Sequence, residues 1–266
     1  MTLLDELQRA RVYDLAQPME RGMPVSPSHV PIQMALTRRH GDRTREDGSS
    51  GACELIVLSG HTGTHIDALC HISSKGKLFG GYDAVEASKS IGFSVLGVET
   101  IGPIVTRAIL LDVAGSNGRA CLAPAEPISA DDLERACAVQ NVQIQSGDAV
   151  LIRTGWMAEH WANAESFVGA QSGVPGVDLS GARWLASHGP MLTGSDTMAY
   201  EWIARGAGHT ALPVHTLLIA NQGIYIVEMM NLESLARDRV YVSAFVLAPL
   251  RVVGATGVPV RPLAFA

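Results

Sequence analysis

A chain of 266 residues with 47% hydrophobic and 17% charged side chains can build a substantial core, which excludes a disordered polypeptide. Its formal net charge is -6, and its most basic run, "TRRHGDRTRED" (37–47), is interrupted by acids, so it lacks the clustered basic patch of a nucleic-acid binder. No apolar run approaches the roughly 18 residues of a membrane-spanning helix. No basic-then-apolar leader opens the sequence. The four cysteines, Cys53, Cys70, Cys121 and Cys137, form no C-x-x-C pair, and a reduced, cytoplasmic protein is expected.

In chain order, "RVYDLAQ" (11–17) reads as a short strand and "PMERGMPVSPSHVP" (18–31) as a turn-rich passage. Residues 37–47 read as a solvated loop, with a mobile segment over a pocket as the alternative. "CELIVLSG" (53–60) reads as an apolar strand running into a histidine-rich segment, and "AILLDVAG" (108–115) as another strand. Ser129 with Asp132 three residues later marks a helix start, and a helix over 131–140 places Leu133, Ala136 and Cys137 on one face. "GDAVLIRTGW" (147–156) is a turn feeding a buried strand. "LSGARWLASHG" (179–189) is a helix closed by Gly189, and "PMLTGSD" (190–196) is a strand ending in a turn. "LPVHTLLIANQGIYIVE" (212–228) holds a short helix and then a strand, and "NLESLA" (231–236) is a helical turn. "RVYVSAFVLAPLRV" (239–252) is the longest strand candidate, and "VPVRPLAFA" (258–266) closes the chain. Strands alternating with helices, and no linker between halves, predict one α/β domain over 1–266.

The segment "VLSGHTGTHIDALCHISSKG" (57–76) concentrates His61, His65, Asp67 and His71. "TGTHI" is a poor helix, with one glycine and three β-branched residues, so an extended course is expected. Residues i and i+2 of an extended chain point the same way, which lets His65 and Asp67 converge. Gly63 allows the bend that would bring His61 to the same point. Two imidazoles and a carboxylate suit Zn²⁺, Mn²⁺ or Fe²⁺, and three protein ligands leave positions open for water and substrate. The bland alternative is that these groups cap turns and satisfy buried carbonyls. His71 is either a further ligand or a proton carrier, since an imidazole titrates near pH 6.5. A Cys70–His71 nucleophile pair is disfavoured because adjacent residues of an extended chain point apart. G-x-S-x-G, G-x-x-x-x-G-K-[ST] and G-x-G-x-x-G motifs are absent, which argues against serine-hydrolase, nucleotide and flavin chemistry.

"HTGTHIDALCH" (61–71) resembles the signature H-x-G-T-H-x-D-x-P-x-H of a metal-dependent cyclase family that includes bacterial kynurenine formamidase and isatin hydrolase. "VYDLAQPMERGMPV" (12–25), "VLIRTGW" (150–156), "TGSDT" (193–197) and "PVHTLLIANQGIYIVEMMNLESL" (213–235) resemble the family's other landmarks. The resemblance implies a swivelling β/β/α fold, a mixed β-sheet with flanking helices. It also implies a homodimer or larger assembly with its sites near the subunit interface. It makes His61, His65 and Asp67 metal ligands and His71 the catalytic acid/base. His215 and Glu228 match the residues that hold a second metal in the formamidase branch, with Asp67 bridging, so one or two Zn²⁺ or Mn²⁺ ions per subunit are expected. Leu69 stands where the signature has proline, which bears on the placement of His71. Residues 37–52 and 157–178 lengthen the chain relative to a typical kynurenine formamidase and are expected to cover the substrate. Trp156, Trp161, Met23 and Phe79 are candidate pocket residues, with core packing as the alternative for each.

The expected reaction is hydrolysis of an amide, lactam or ester carbonyl of a small, largely apolar molecule by metal-activated water, with cyclic amides as the first choice. A metal-dependent lyase or cyclase acting through an enolate is one alternative class, and a non-catalytic metal-binding protein is another.

Overall fold

The computed structural model describes residues 2–266. The strands that build it are, in chain order, β1 (Val12–Asp14), β2 (Gln33–Arg38), β3 (Cys53–Val57), β4 (His65–Asp67), β5 (Ile104–Asp112) and β6 (Ala149–Arg153). They continue with β7 (Leu192–Ser195), β8 (Tyr225–Glu228), β9 (Val242–Leu247), β10 (Gly257–Pro259) and β11 (Leu263–Phe265). Nine of them form one mixed sheet in the order β1-β11-β9-β5-β6-β7-β8-β4-β10. Its centre, β5 to β8, is parallel. Antiparallel strands flank that centre on both sides, including β4 beside β8.

The parallel strands are apolar on both faces because both faces are covered. Ala149 and Leu151 of β6 point into one core with Leu110, Val227 and Phe245. Val150 and Ile152 point into the other with Ile109, Leu133 and Leu185. The second core is roofed by helices α1 (Ala130–Gln140) and α2 (Leu179–His188). Each fully buried aliphatic of this kind contributes about 1.5–3 kcal/mol. α1 begins at the expected capping box of Ser129 and Asp132, and α2 ends at Gly189, whose φ of +64° suits glycine. Leu133 and Ala136 are buried as the helix pattern requires, with Cys137 partly buried beside them.

Two strand assignments change. Residues 53–57 form a strand, but not an apolar one inside the sheet. They pair only with β2, and every residue of both strands is exposed. The longest strand is β5, with nine residues, whereas the 239–252 run yields the six of β9 before Pro249 and Arg251 lead it away.

Candidate active site

β4 sits between β8 and β10, and that placement assembles the site. Pairing with β8 sets His65 opposite Glu228, and pairing with β10 sets Asp67 opposite Gly257. Cross-strand partners share a face, so the His65 imidazole and Glu228 carboxylate meet directly. Gly63, at φ +66°, provides the expected bend. His61 folds back until its ring centroid lies 5.1 Å from that of His65. Thr64 pins the turn, its hydroxyl donating to the Met229 carbonyl at 2.6 Å. A Cβ on Gly257 would stand 2.5 Å from Cε1 of His61, so only glycine leaves that ring its place. His215 arrives from a short helix, α3 (Pro213–His215), which runs on as a π-helical turn over Thr216–Asn221.

All six residues singled out in the sequence come together. Asp67 Oδ1 lies 2.8 Å from Nδ1 of His61 and 3.6 Å from Nε2 of His65. Nε2 of His65 is 3.3 Å from Glu228, and Nε2 of His215 is 3.1 Å from Glu228 and 3.8 Å from Asp67. Two groups have metal-ligand spacing, His61–Asp67–His71 and Asp67–His215–Glu228, and Asp67 belongs to both. The group with His61 and Asp67 includes His71, while His65 lies between Asp67 and Glu228, 3.6 and 3.3 Å from them.

The outer nitrogens decide what the inner ones can do. Nδ1 of His65 must donate to the Gly63 carbonyl, 2.8 Å away, because a carbonyl only accepts. Nδ1 of His215 donates to the Glu201 carboxylate at 2.6 Å. Nε2 of His61 meets the Thr256 hydroxyl at 2.9 Å. In their neutral forms His65 and His215 therefore turn inner lone pairs toward carboxylate oxygens, while the Thr256 hydroxyl can either donate to His61 or accept from it. Asp67 Oδ1 is buried and makes no hydrogen bond of acceptable geometry although Nδ1 of His61 is so near. Acceptors facing acceptors need a cation or extra protons between them, and the nitrogen and oxygen donor set fits a divalent ion.

The protonation energetics follow the same division. Burial alone lowers His215, but its hydrogen bonds to Glu201 and Glu228 outweigh that and hold it up to about 10. Burial likewise opposes charge on His65, and Glu228 reverses the direction upward. Burial pushes Asp67 up, yet the surrounding His71, His61 and His65 bring it well below the usual carboxylate range. His71 goes the other way, lowered to about 4 chiefly by burial, which keeps its imidazole neutral. Its ring lies 4.0 Å from that of His61. The missing proline does not displace it. The His71 N–H closes a turn onto the Ala68 carbonyl at 2.9 Å, and Leu69 is buried in the helix-side core.

His61, His65, His71, His215 and Glu228 floor a cavity of about 240 Å³. Ile72, Met198, Ala199, Leu212 and Met229 form its apolar wall, and Ser26, Ser28, His29 and His209 complete its lining. The lining has no lysine or arginine. Trp156, Trp161, Met23 and Phe79 do not line it. Trp156 is fully buried and backs Met198 and Met229 in a third apolar cluster, where Trp161 also packs, while Phe79 packs on the helix-side core and Met23 is buried under Gly63. The two expected covering segments contribute nothing to the lining either. Residues 37–52 form the far end of the β2–β3 ribbon, and 157–178 bury Met157, Phe167 and Val174 in the third cluster. Glu201, Thr256, His29 and His209 were not anticipated. The one signal available was an acid isolated in the apolar run "MAYEWI" (198–203).

The chain resembles known proteins over most of its length. Residues 13–202 match the family model described as "Putative cyclase". The chain is 30% identical over 253 residues to kynurenine formamidase of Geobacillus thermodenitrificans, covering 93% of this chain and 94% of that protein. It is 25% identical over 221 residues to isatin hydrolase of Roseibium aggregatum, covering 82% and 76%. A crystal structure described as a novel cyclase superposes with a TM-score of 0.88 at 26% identity, over 99% of this chain and 91% of that one. The protein belongs to the cyclase family.

Proposed function

We propose that residues 1–266 act as one metal-dependent hydrolase domain that cleaves an amide, lactam or ester carbonyl of a small molecule. One observation carries this reading. Three imidazoles with their outer nitrogens engaged present their inner nitrogens to Asp67 and Glu228 at the floor of an apolar cavity, with His71 beside them. His61, Asp67, His215 and Glu228, which have metal-ligand spacing, and His65, 3.6 Å from Asp67 and 3.3 Å from Glu228, would hold one or two Zn²⁺ or Mn²⁺ ions. A divalent ion there supplies Lewis-acid polarisation of the carbonyl and acidifies water from about 15.7 toward about 7. His71 accepts the proton of the attacking water at a ring nitrogen and returns it to the leaving nitrogen or oxygen. Ile72, Met198, Leu212 and Met229 hold the apolar body of the substrate and keep bulk water away.

The lining also bears on the substrate. The cavity offers no lysine or arginine to a carboxylate, and its only acid is Glu228, one of the proposed ligands. With no lysine or arginine in the lining, a neutral ring is favoured there over a zwitterionic amino acid such as N-formylkynurenine. Cyclic amides therefore remain the first choice, ahead of aryl formamides, imides and lactones. The homologous formamidase and isatin hydrolase both bear names of hydrolytic reactions, which supports hydrolysis over an enolate lyase.

We read the protein as cytoplasmic. No helix among the described residues is long and apolar enough to cross a membrane, and all four cysteines are unpaired. We also read it as a homodimer or larger homo-oligomer, because the β2–β3 ribbon leaves Met34, Leu36 and Ile56 about half exposed on one face. The test of the reaction is turnover of that substrate panel in ¹⁸O-labelled water, with Zn²⁺ and Mn²⁺ supplied separately. Label in the product carboxylate is expected. A product without solvent oxygen would replace hydrolysis by a lyase or cyclase reaction.

A further inference from the structure

Glu201 is a carboxylate 1% exposed, and neither a lysine nor an arginine forms an ion pair with it among the described residues. Burying such a group without a cation is expensive, so its partners are informative. They are the backbone N–H groups of Val214 and His215, at 3.2 and 3.0 Å, and Nδ1 of His215 at 2.6 Å. All lie at the start of α3. The same carboxylate thus fixes where the helix begins, how the His215 ring is turned and which of its nitrogens carries hydrogen.

The three imidazoles facing Asp67 and Glu228 are backed unequally. His61 has a hydroxyl behind it, His65 a peptide carbonyl and His215 a full carboxylate. A carboxylate behind an imidazole makes the opposite nitrogen the more basic donor and restrains its direction. Two carboxylates, Asp67 and Glu228, already bound the place that His215 Nε2 faces. The other position, beside His61 and His71, shares Asp67 but has neither Glu228 nor a carboxylate-backed ring.

We propose that Glu201 is a positioning residue that makes the Asp67–His215–Glu228 position the tighter of the two metal positions, so that it fills first. This rests on the metal-dependent reading above. Glu201 touches neither substrate nor metal and acts through the orientation and basicity of His215.

The test is a calorimetric Mn²⁺ titration of the metal-stripped full-length chain, wild type against Glu201→Gln. Glutamine keeps the size and, with its oxygen at Oε1, both hydrogen bonds from His215, while the charge behind His215 and the acceptor for the Val214 N–H are lost. The tightest binding step is expected to weaken by about 10–100-fold. Any second step should stay unchanged even though the lost Val214 hydrogen bond lowers the metal-free melting temperature slightly, whereas a merely structural role would weaken every step alike. A tightest step of unchanged affinity overturns the proposal. Equal weakening of every step, with a lowered metal-free melting temperature, overturns it too and leaves Glu201 as a helix cap. Should Glu201→Gln not accumulate as folded protein, Glu201→Asp, which keeps the charge but withdraws it from Nδ1, makes the same comparison. A wild-type chain that binds no Mn²⁺ and no Zn²⁺ would instead defeat the metal-dependent reading itself.

Discussion

His65 and His71 lie on one short segment but face different tasks, and substitution separates them. Nε2 of His65 stands 3.3 Å from Glu228 and 3.6 Å from Asp67, in the interior of the ligand group. His65→Ala is expected to purify without metal and to lose the rise in melting temperature that metal binding gives by mass action. Full occupancy in that variant, by elemental analysis, would remove His65 from the ligand set. His71 is kept neutral by burial and lines the cavity. His71→Ala is expected to keep fold and metal and to lower kcat by about 10²–10⁴. Because His71 also falls within ligand distance of His61 and Asp67, loss of metal in that variant would make it a ligand instead. Gly257 contributes no functional group, yet a methyl there would press on the His61 ring at Cε1 and Nδ1, 2.5 and 2.8 Å away. Gly257→Ala should therefore impair the His61 side of the site, reducing metal content and activity together. An active variant with full metal content would show that the ring can move aside at no cost.

At the scale of elements, the parallel strands deliver loops to one end of the sheet and a buried carboxylate ties two of them. Asp196, just after β7, accepts from the N–H and hydroxyl of Thr154 and from the N–H of Gly155, at 2.7–2.9 Å. That clamps the end of β6 to the end of β7. Burial still dominates and pushes Asp196 up to about 6 from an ordinary 3.8, the donors only partly offsetting it. The sign follows from a folded pKa above the unfolded one. The stability Asp196 contributes is fully present below about pH 4 and is lost as pH rises through 6, a swing of about 3 kcal/mol. Asp196→Asn is uncharged throughout, so the stability difference between wild type and variant should shrink from pH 4 to pH 7 in urea unfolding. A difference that stays flat over that range would contradict the burial-dominated carboxyl.

For the whole molecule, the feature left over by the fold is the β2–β3 ribbon. A two-stranded ribbon exposed on both faces is marginal alone, and this one carries Met34, Leu36 and Ile56 on one face at 48, 56 and 49% exposure. Covering that face with a second copy would remove the apolar surface from water and support the ribbon. Leu36→Asp combined with Ile56→Asp should shift the assembly to monomer in light scattering and lower the melting temperature by the support the second copy gave. An unchanged oligomer would place the subunit contact elsewhere, and a monomeric wild type would end the oligomer reading.

What the sequence determined by itself was local. The spacing of His61, His65 and Asp67, with Gly63 between, follows from backbone stereochemistry alone, since an extended chain repeats every two residues and glycine accepts φ +66°. The start of α1 at Ser129 and the end of α2 at Gly189 were legible for the same reason, because caps are satisfied within a few residues. The His215 and Glu228 positions were visible only through likeness to a family, since nothing near them signals a metal. Tertiary structure decided the rest. β4 is only three residues long, and its insertion between β8 and β10 alone brings Glu228 to His65 and Gly257 under His61. The cavity wall came from Met198, Leu212 and Met229 rather than from the tryptophans. The exposure of β3 and the role of Glu201 were equally out of reach. An apolar strand reads alike whether a core or a partner covers it, and a lone glutamate reads alike whether it meets water or a histidine from another element.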